Sequence, residues 1–335
     1  MRISLEALET SIRDLFLTNG AGETQAASVA RHMAWCESVG RANFGIERIP
    51  ILIKRMRQGV LDGQSEMAFE SLAPSISRLD AAGGFGFDAA ERAMGRAVEL
   101  AKATGIGVVG VKDSNFSGCG AYYVSRAADE GMISLALSNS FPKVVAHGGI
   151  KPVLGTNPFA FGAPARNGRH LLFDMATSAL AGSTVREHIA KGISLPEGLA
   201  IDTNGNPVTD PSKVADGALL PFGGAKGYGL SLLVEILSGV LTGAGIGPGV
   251  ASMYSDFSRS GSNGQFLLAL DISRWMDRDN YFDRFETLTA LLRASGDGVL
   301  FPGEIRWEHR QRALTDGVEI DDRRWQEIQN LNPAP

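Results

Sequence analysis

Two glycine-framed loops carry the residue types that do chemistry in this chain. The first, Lys112-Asp113-Ser114-Asn115-Phe116-Ser117-Gly118, follows the apolar run 105–111 directly. A polar loop that ends a strand and precedes a helix is a frequent ligand seat, because its amides and short side chains face the crevice. Ser114, Asn115 and Gly118 suit that role. Phe116 is the odd member: a large ring among polar neighbours either fills a hole or packs on a flat substrate or cofactor. The second loop, 221–227, ends in Gly223-Gly224-Ala225-Lys226-Gly227 and opens an apolar helix. Free amides, a positive helix end and an ammonium converge there, a setting that fits a diphosphate. Loops ending in Gly155-Thr156-Asn157-Pro158 and spelling Asp174-Met175-Ala176-Thr177-Ser178 have similar make-up, although each alone is compatible with an ordinary turn.

Other chemistries lack their signatures. No GxGxxG follows a strand and no Walker loop is present, which argues against a standard dinucleotide fold. No HExxH or clustered ligands exist, and none of the five histidines has a partner at ligand spacing, so no metal is expected. Cys36 and Cys119 are isolated in sequence and read as buried small residues. A net charge of −5 disfavours nucleic acid or an anionic membrane as the main partner. The first residues lack a signal peptide's apolar stretch, and no run of about 18 apolar residues spans a membrane. A cytoplasmic protein acting on small molecules is the expectation.

The elements that must hold these loops follow from periodicity. Leu5, Leu8, Ile12 and Leu15 recur at helical spacing behind Ser4, and Asn19-Gly20 closes that segment. Further helices are expected over 24–37 and 49–58, so three helices precede any strand. From about residue 85 the pattern becomes α/β: helix 88–103, strand 106–111, helix 122–130, strand 133–138. Short strands are expected at 159–161 and 171–173, another at 266–272, and helices at 283–293 and 322–330. The segment 227–242 is apolar on nearly all sides and reads as a buried helix at a subunit contact. The length of 335 residues supports two units, and with no linker between them they are interleaved. The 41 glycines gather in loops, where positive φ or close backbone approach is needed.

The ordered set DSNFSG, GTNPFAF, DMATS, GGAKGYGL and Pro302-Gly303-Glu304 resembles the second, non-Rossmann type of malate/L-lactate dehydrogenase over nearly the whole chain. Ureidoglycolate dehydrogenase, diketogulonate reductase, sulfolactate dehydrogenase and Δ1-piperideine-2-carboxylate reductase belong to that family. The resemblance implies an α/β (α+β) fold: a non-Rossmann NAD(P)-binding domain, 76–221 plus 299–335, and a helical domain, 1–75 plus 222–298. It implies a homodimer using NADH or NADPH on a small substrate bearing a carboxylate. By position, Ser114, Asn115, Gly118, Thr156, Asn157, Asp174, Met175, Ala176, Thr177, Ser178, Ala225, Lys226, Gly227, Pro302, Gly303 and Glu304 are its cofactor contacts. Arg48 matches the arginine that grips the substrate carboxylate, for which a planar two-point guanidinium is well suited.

The chain departs from the family where protons move. Members usually carry Ser-His-Gly shortly before that arginine, and here the residues are Asn43-Phe44-Gly45. The usual Asn-Ser-x-His-Phe-Gly loop has Phe116 at its histidine, and the Gly-Lys-Val after DMATS is Ser183-Thr184-Val185. Loss of a positioned general acid lowers ketone reduction by about 10²–10⁴-fold. A protonated imine already carries the charge that hydride neutralises, and ring faces stabilise such a cation by about 0.5–2 kcal/mol. The expectation is therefore an NAD(P)H-dependent oxidoreductase for a 2-imino acid, cyclic in particular, or a 2-keto acid. Phe44 and Phe116 would flank the reacting centre, with Asp174 or a water on Asn43 handling protons. The alternatives are a cofactor-binding homologue without hydride transfer and a reductase for an unusual biosynthetic substrate.

Overall fold

In the computed structural model, which describes residues 1–331, the N-terminal helical repeats form the helices Leu5–Thr18, Glu23–Ser38 and Ile49–Arg57. Ser4 caps the first: its Oγ accepts from the Ala7 amide at 3.2 Å. The face Leu8, Ile12, Leu15, Phe16 is buried, as its spacing requires. The expected α/β stretch is present as helix Gly86–Thr104, strand Ile106–Ser114, helix Gly120–Asp129 and strand Met132–Ser138. Strand and helix approach so closely that a Cβ on Gly107 would lie 1.9 Å from the Ala97 carbonyl oxygen. Only glycine fits there.

These strands belong to a seven-stranded sheet with the order Ala68–Ala73, Ile76–Asp80, Ile106–Ser114, Asn263–Asp271, Met132–Ser138, Phe159–Ala163, Leu171–Met175. Asn263–Asp271 slots between the two strands of the α/β stretch and runs antiparallel to both. Within the sheet only Ile76–Asp80 and Ile106–Ser114 pair in parallel. That pattern is a mixed α/β fold without the parallel sheet of a Rossmann domain. A four-stranded sheet of short strands stands apart, with its own core of Val144, Leu154, Val185 and Leu219.

Two expectations are corrected. The boundary at 75/76 cuts a hairpin: Ala68–Ala73 pairs antiparallel with Ile76–Asp80 and lies in the sheet, as does Asn263–Asp271, although both were placed in the helical unit. Conversely, the C-terminal segment leaves the α/β unit for the N-terminal helices. Arg2–Ile3 pairs with Val318–Glu319, and Ala313, Ile320 and Ile328 share a core with Leu8, Ile12 and Phe16. A strand needs its hydrogen-bonding neighbour and a helix its apolar partner, wherever in the chain these lie.

The apolar segment 227–242 buries only one face within this chain. It is a helix, Ala225–Glu235, that continues as the π-helical turn Ile236–Val240, yet its inward residues are Gly227, Ser231, Glu235, Ser238 and Gly239 beside Val234. Leu233, Ile236, Val240 and Leu241 are 43–64% exposed. Small residues face inward because the sheet is close: a Cβ on Gly264 would lie 1.6 Å from the Ser238 carbonyl oxygen. Helices Gly182–Lys191 and Glu304–Asp316 had no counterpart in the sequence reading.

Candidate functional site

Arg48 stands where the 3₁₀ turn Ile46–Arg48 runs into helix Ile49–Arg57, and is 6% exposed. Its Nε donates to the Asn43 carbonyl at 2.7 Å and its Nη1 to the Tyr254 hydroxyl at 2.7 Å. Burial lowers its pKa from the usual value, yet a guanidinium stays charged. No carboxylate pairs with it among the described residues, so three N–H groups remain for a ligand.

The preceding turn, Ala42–Phe44, is held from helix Glu23–Ser38. Glu37 Oε1 accepts from the Ile46 amide at 2.8 Å, and a Cβ on Gly45 would lie 2.2 Å from that oxygen. Burial pushes the Glu37 carboxyl up to about 7, with Glu47 adding to the rise and the Ile46 amide and Arg324 opposing it. Phe44 is thereby set against Phe116, with centroids 6.3 Å apart and planes within 14°. The Arg48 Cζ lies 5.7 Å from the Phe116 centroid and 5.7 Å from that of Tyr254. The two phenylalanines and the arginine predicted together are together.

The spacing of the two rings bears on the flanking arrangement. A planar cation between two ring faces needs about 7 Å, twice the optimal carbon contact. The two rings stand somewhat closer than that, at 6.3 Å between centroids. Tyr254 and Arg186 complete the cluster without having been foreseen. The Arg186 Cζ is 5.9 Å from the Tyr254 centroid, and its charge is felt at Arg48.

The loop bearing Phe116 is a pinned structure. Ser114 Oγ accepts from Gln265 Nε2 at 3.0 Å. Asn115 Nδ2 donates to the Gly83 and Gly84 carbonyls and to Ser260 Oγ, while its Oδ1 accepts from the Gly261 amide. Gly118 has φ +77°, and a Cβ there would lie 2.3 Å from His32 Nε2. The Ser114 and Asn115 side chains thus hold the loop in place, and Gly118 packs against His32. His32 Nε2 accepts from the Cys119 amide at 3.0 Å, and complete burial lowers its pKa to about 3. It is a neutral structural histidine.

Asp174, expected to handle protons, accepts through Oδ2 from the Ala121 amide at 3.0 Å and the Cys119 thiol at 3.1 Å. It caps the first turn of helix Gly120–Asp129, and in doing so ties the Asp174–Ser178 loop to the Phe116 loop. The two cysteines lie buried in one core, and burial holds the Cys36 thiol well above its usual value. Their neighbour Arg306 lies 3.8 Å from the Cys119 sulfur.

Three of the predicted cofactor loops meet. The Thr177 amide donates to the Thr156 carbonyl at 2.8 Å, Thr177 Oγ1 to the Asn157 carbonyl at 3.0 Å, and the Phe222 amide to the Thr177 carbonyl at 3.1 Å. Asn157, fully buried at φ +32°, donates to Glu235 Oε2 at 2.7 Å and to the Ser231 carbonyl. Its side chain fastens the loop to helix Ala225–Glu235 and is not free for a ligand. Ser178 Oγ donates to the Leu180 carbonyl, and Met175 stands at the end of its strand with Ala176 following. The helix mouth stays open: Gly224, at φ +63°, supplies no capping side chain, and Ala225 and Lys226 are exposed. Lys226 has no ion pair among the described residues. Gly227 fits beneath because a Cβ would lie 1.9 Å from the Phe222 carbonyl oxygen. Free amides and one ammonium meet at this helix start, an arrangement suited to an anion.

Pro302, Gly303 and Glu304 open helix Glu304–Asp316 against the edge strand, the Leu172 amide donating to the Pro302 carbonyl at 3.1 Å. Glu304 accepts from Arg293 at 2.7 Å and from the Phe301 amide at 3.1 Å, which fixes the start of that helix.

A family model described as malate/L-lactate dehydrogenase matches residues 3–329. The chain is 36% identical over 323 residues to an L-sulfolactate dehydrogenase of Methanothermobacter thermautotrophicus, covering 96% of this chain and 94% of that one. It is 34% identical to a Δ1-pyrroline-2-carboxylate/Δ1-piperideine-2-carboxylate reductase of Pseudomonas putida, over 99% and 96% of the two. The crystal structure of Δ1-piperideine-2-carboxylate reductase from Pseudomonas syringae superposes with a TM-score of 0.92 at 31% identity, over 99% of both chains.

Proposed function

The chain belongs to the malate/L-lactate dehydrogenase family, and from that premise we propose that it is an NAD(P)H-dependent oxidoreductase for a 2-imino or 2-keto acid. The observation that carries this reading is Arg48, a buried guanidinium with no acidic partner among the described residues, beside two stacked phenylalanines. A buried charge left unpaired is costly unless a ligand completes it. A substrate carboxylate does so with two hydrogen bonds.

The cofactor is assigned to the cradle of Gly224, Ala225 and Lys226 with the Thr156 and Thr177 loops beside it. When bound, a reduced nicotinamide supplies a hydride. The chain's own residues supply the rest: Arg48 fixes the acid, and Phe44 with Phe116 forms an apolar wall that keeps water from the carbon beside it. No histidine hydrogen-bonds Arg48 or stacks on either ring among the described residues. An imine, which arrives protonated, suits such a pocket better than a ketone, and reductases of cyclic imino acids are among the relatives. The exposed face Leu233, Ile236, Val240, Leu241 is assigned to the contact of a homodimer.

The test is consumption of NADH and of NADPH with Δ1-pyrroline-2-carboxylate, Δ1-piperideine-2-carboxylate, pyruvate and oxaloacetate. Turnover of the cyclic imines above the keto acids is expected, and F44H/F116H should raise keto-acid reduction. Cofactor binding without turnover of any substrate would mark a homologue that has lost hydride transfer. A double variant that binds cofactor but gains nothing on keto acids would refute the role given to the rings.

A further inference from the structure

The loop that brings Tyr254 to Arg48 is built with more care than a surface segment needs. Arg55, 2% exposed and one helical stretch on from Arg48, donates to the Asp256 carbonyl at 2.7 Å and to the Arg259 carbonyl at 3.2 Å. Asn115 holds the far end through Ser260 and Gly261. Tyr254 is therefore fixed against the same arginine and the same Phe116 loop from two sides. Phe141 packs edge-on to its ring at 5.9 Å.

Its hydroxyl oxygen accepts from Arg48 Nη1 at 2.7 Å and donates to nothing among the described residues. A phenol that has accepted one bond keeps its own proton to give. In a 2-oxo acid the reacting oxygen sits on the carbon next to the carboxylate, so a group bonded to the carboxylate's guanidinium is within reach of it. The phenol oxygen has Arg48 in direct contact, and Arg186 lies 5.9 Å from the centre of its ring. Negative charge appearing there meets compensation already in place.

We propose that Tyr254 is the proton donor to the 2-oxo oxygen, a step that cyclic imines do not require, so that keto acids remain the slower substrates. The inference rests on the assignment of Arg48 as the carboxylate grip. As hydride reaches the carbonyl carbon, the C=O π pair moves to oxygen, the Tyr254 O–H bond breaks and a new O–H bond forms on the product. The substrate is reduced by two electrons and the nicotinamide oxidised, and water returns the proton to the phenolate, which at 42% exposure is open to solvent. In the oxidative direction Tyr254 takes the proton instead. An iminium substrate arrives with its proton and needs this step far less.

The experiment compares wild type with Y254F, nearly isosteric and checked for an unchanged melting temperature, and with Y254H as a rescue. With pyruvate, kcat should fall by about 10²–10⁴-fold in Y254F and recover in part in Y254H. With Δ1-piperideine-2-carboxylate it should fall less than about tenfold. Binding is read separately by calorimetry in the presence of oxidised cofactor, where nothing reacts. Wild type should prefer pyruvate over propionate by about 3–10-fold, the worth of one hydrogen bond, and Y254F should lose that preference while binding propionate as before. Equal weakening of both acids, or equal loss of kcat on both substrate types, would make Tyr254 a mere prop for Arg48 and overturn the proposal. A retained pyruvate preference in Y254F would overturn it as well. Wild type that keeps the preference but reduces neither substrate would sink the hydride-transfer reading and leave the hydrogen bond standing. Wild type that binds neither acid would sink both.

Discussion

Replacing Glu37 by glutamine should stabilise the protein at pH 8 and change little at pH 4. The carboxyl lies beneath the turn that presents Phe44 and Arg48, and burial raises it from an ordinary 4.5 to about 7. Below 4.5 it is protonated in both folded and unfolded chains. Between 4.5 and 7 the unfolded chain releases its proton while the native state keeps it, so stability falls as pH rises through that window and levels off above it. At about 1.4 kcal/mol per pH unit, the gap sets an upper limit of about 3 kcal/mol. Glutamine keeps the size of the side chain and an oxygen for the Ile46 amide, but has no charge to bury. Urea unfolding of both proteins at several values from pH 4 to 8 should show a difference growing from near zero to about 3 kcal/mol, equivalent to about 1 M in midpoint. Titration of His32 is common to both proteins and cancels. Parallel curves with a constant offset would refute the reasoning, since they would mean that Glu37 titrates alike in folded and unfolded chains.

Asn157→Ala should lower stability by about 1–3 kcal/mol, because Glu235 loses a buried donor, and because alanine tolerates φ +32° less well than asparagine. A melting temperature unchanged from wild type would remove Asn157 from its fastening role. Lys226→Ala should weaken NADH or NADPH binding about tenfold or more and flatten its salt dependence, read by nicotinamide fluorescence at two ionic strengths. Unchanged affinity and salt response would move the diphosphate away from that helix mouth.

Most helices were legible because burial of one face imposes a 3.6-residue rhythm that any sequence must carry. Leu8, Ile12 and Leu15 state it openly, and the glycine loops declare themselves by composition. The helix Glu304–Asp316 was hidden because charged and polar residues dominate it and only Arg306 and Ala313 are buried. The apolar segment 227–242 was only partly legible for a related reason. Hydropathy tells how much apolar surface a helix has, and not whether the chain's own sheet or another surface covers it.

The order of motifs by itself determined the family, and residue types marked its loops with Arg48, Phe44 and Phe116 as candidates for a site. Tertiary structure decided what each residue is free to do. Ser114, Asn115, Asn157, Asp174 and Glu304 look like ligand contacts in sequence, and in the fold their side chains also bond other parts of the chain. Tyr254 sits 206 positions from Arg48, and Cys36 shares one buried core with Cys119. A periodic pattern records which side of an element is buried, but a hydrogen bond depends on where two backbones come to rest, and that is set by the packing of the whole chain.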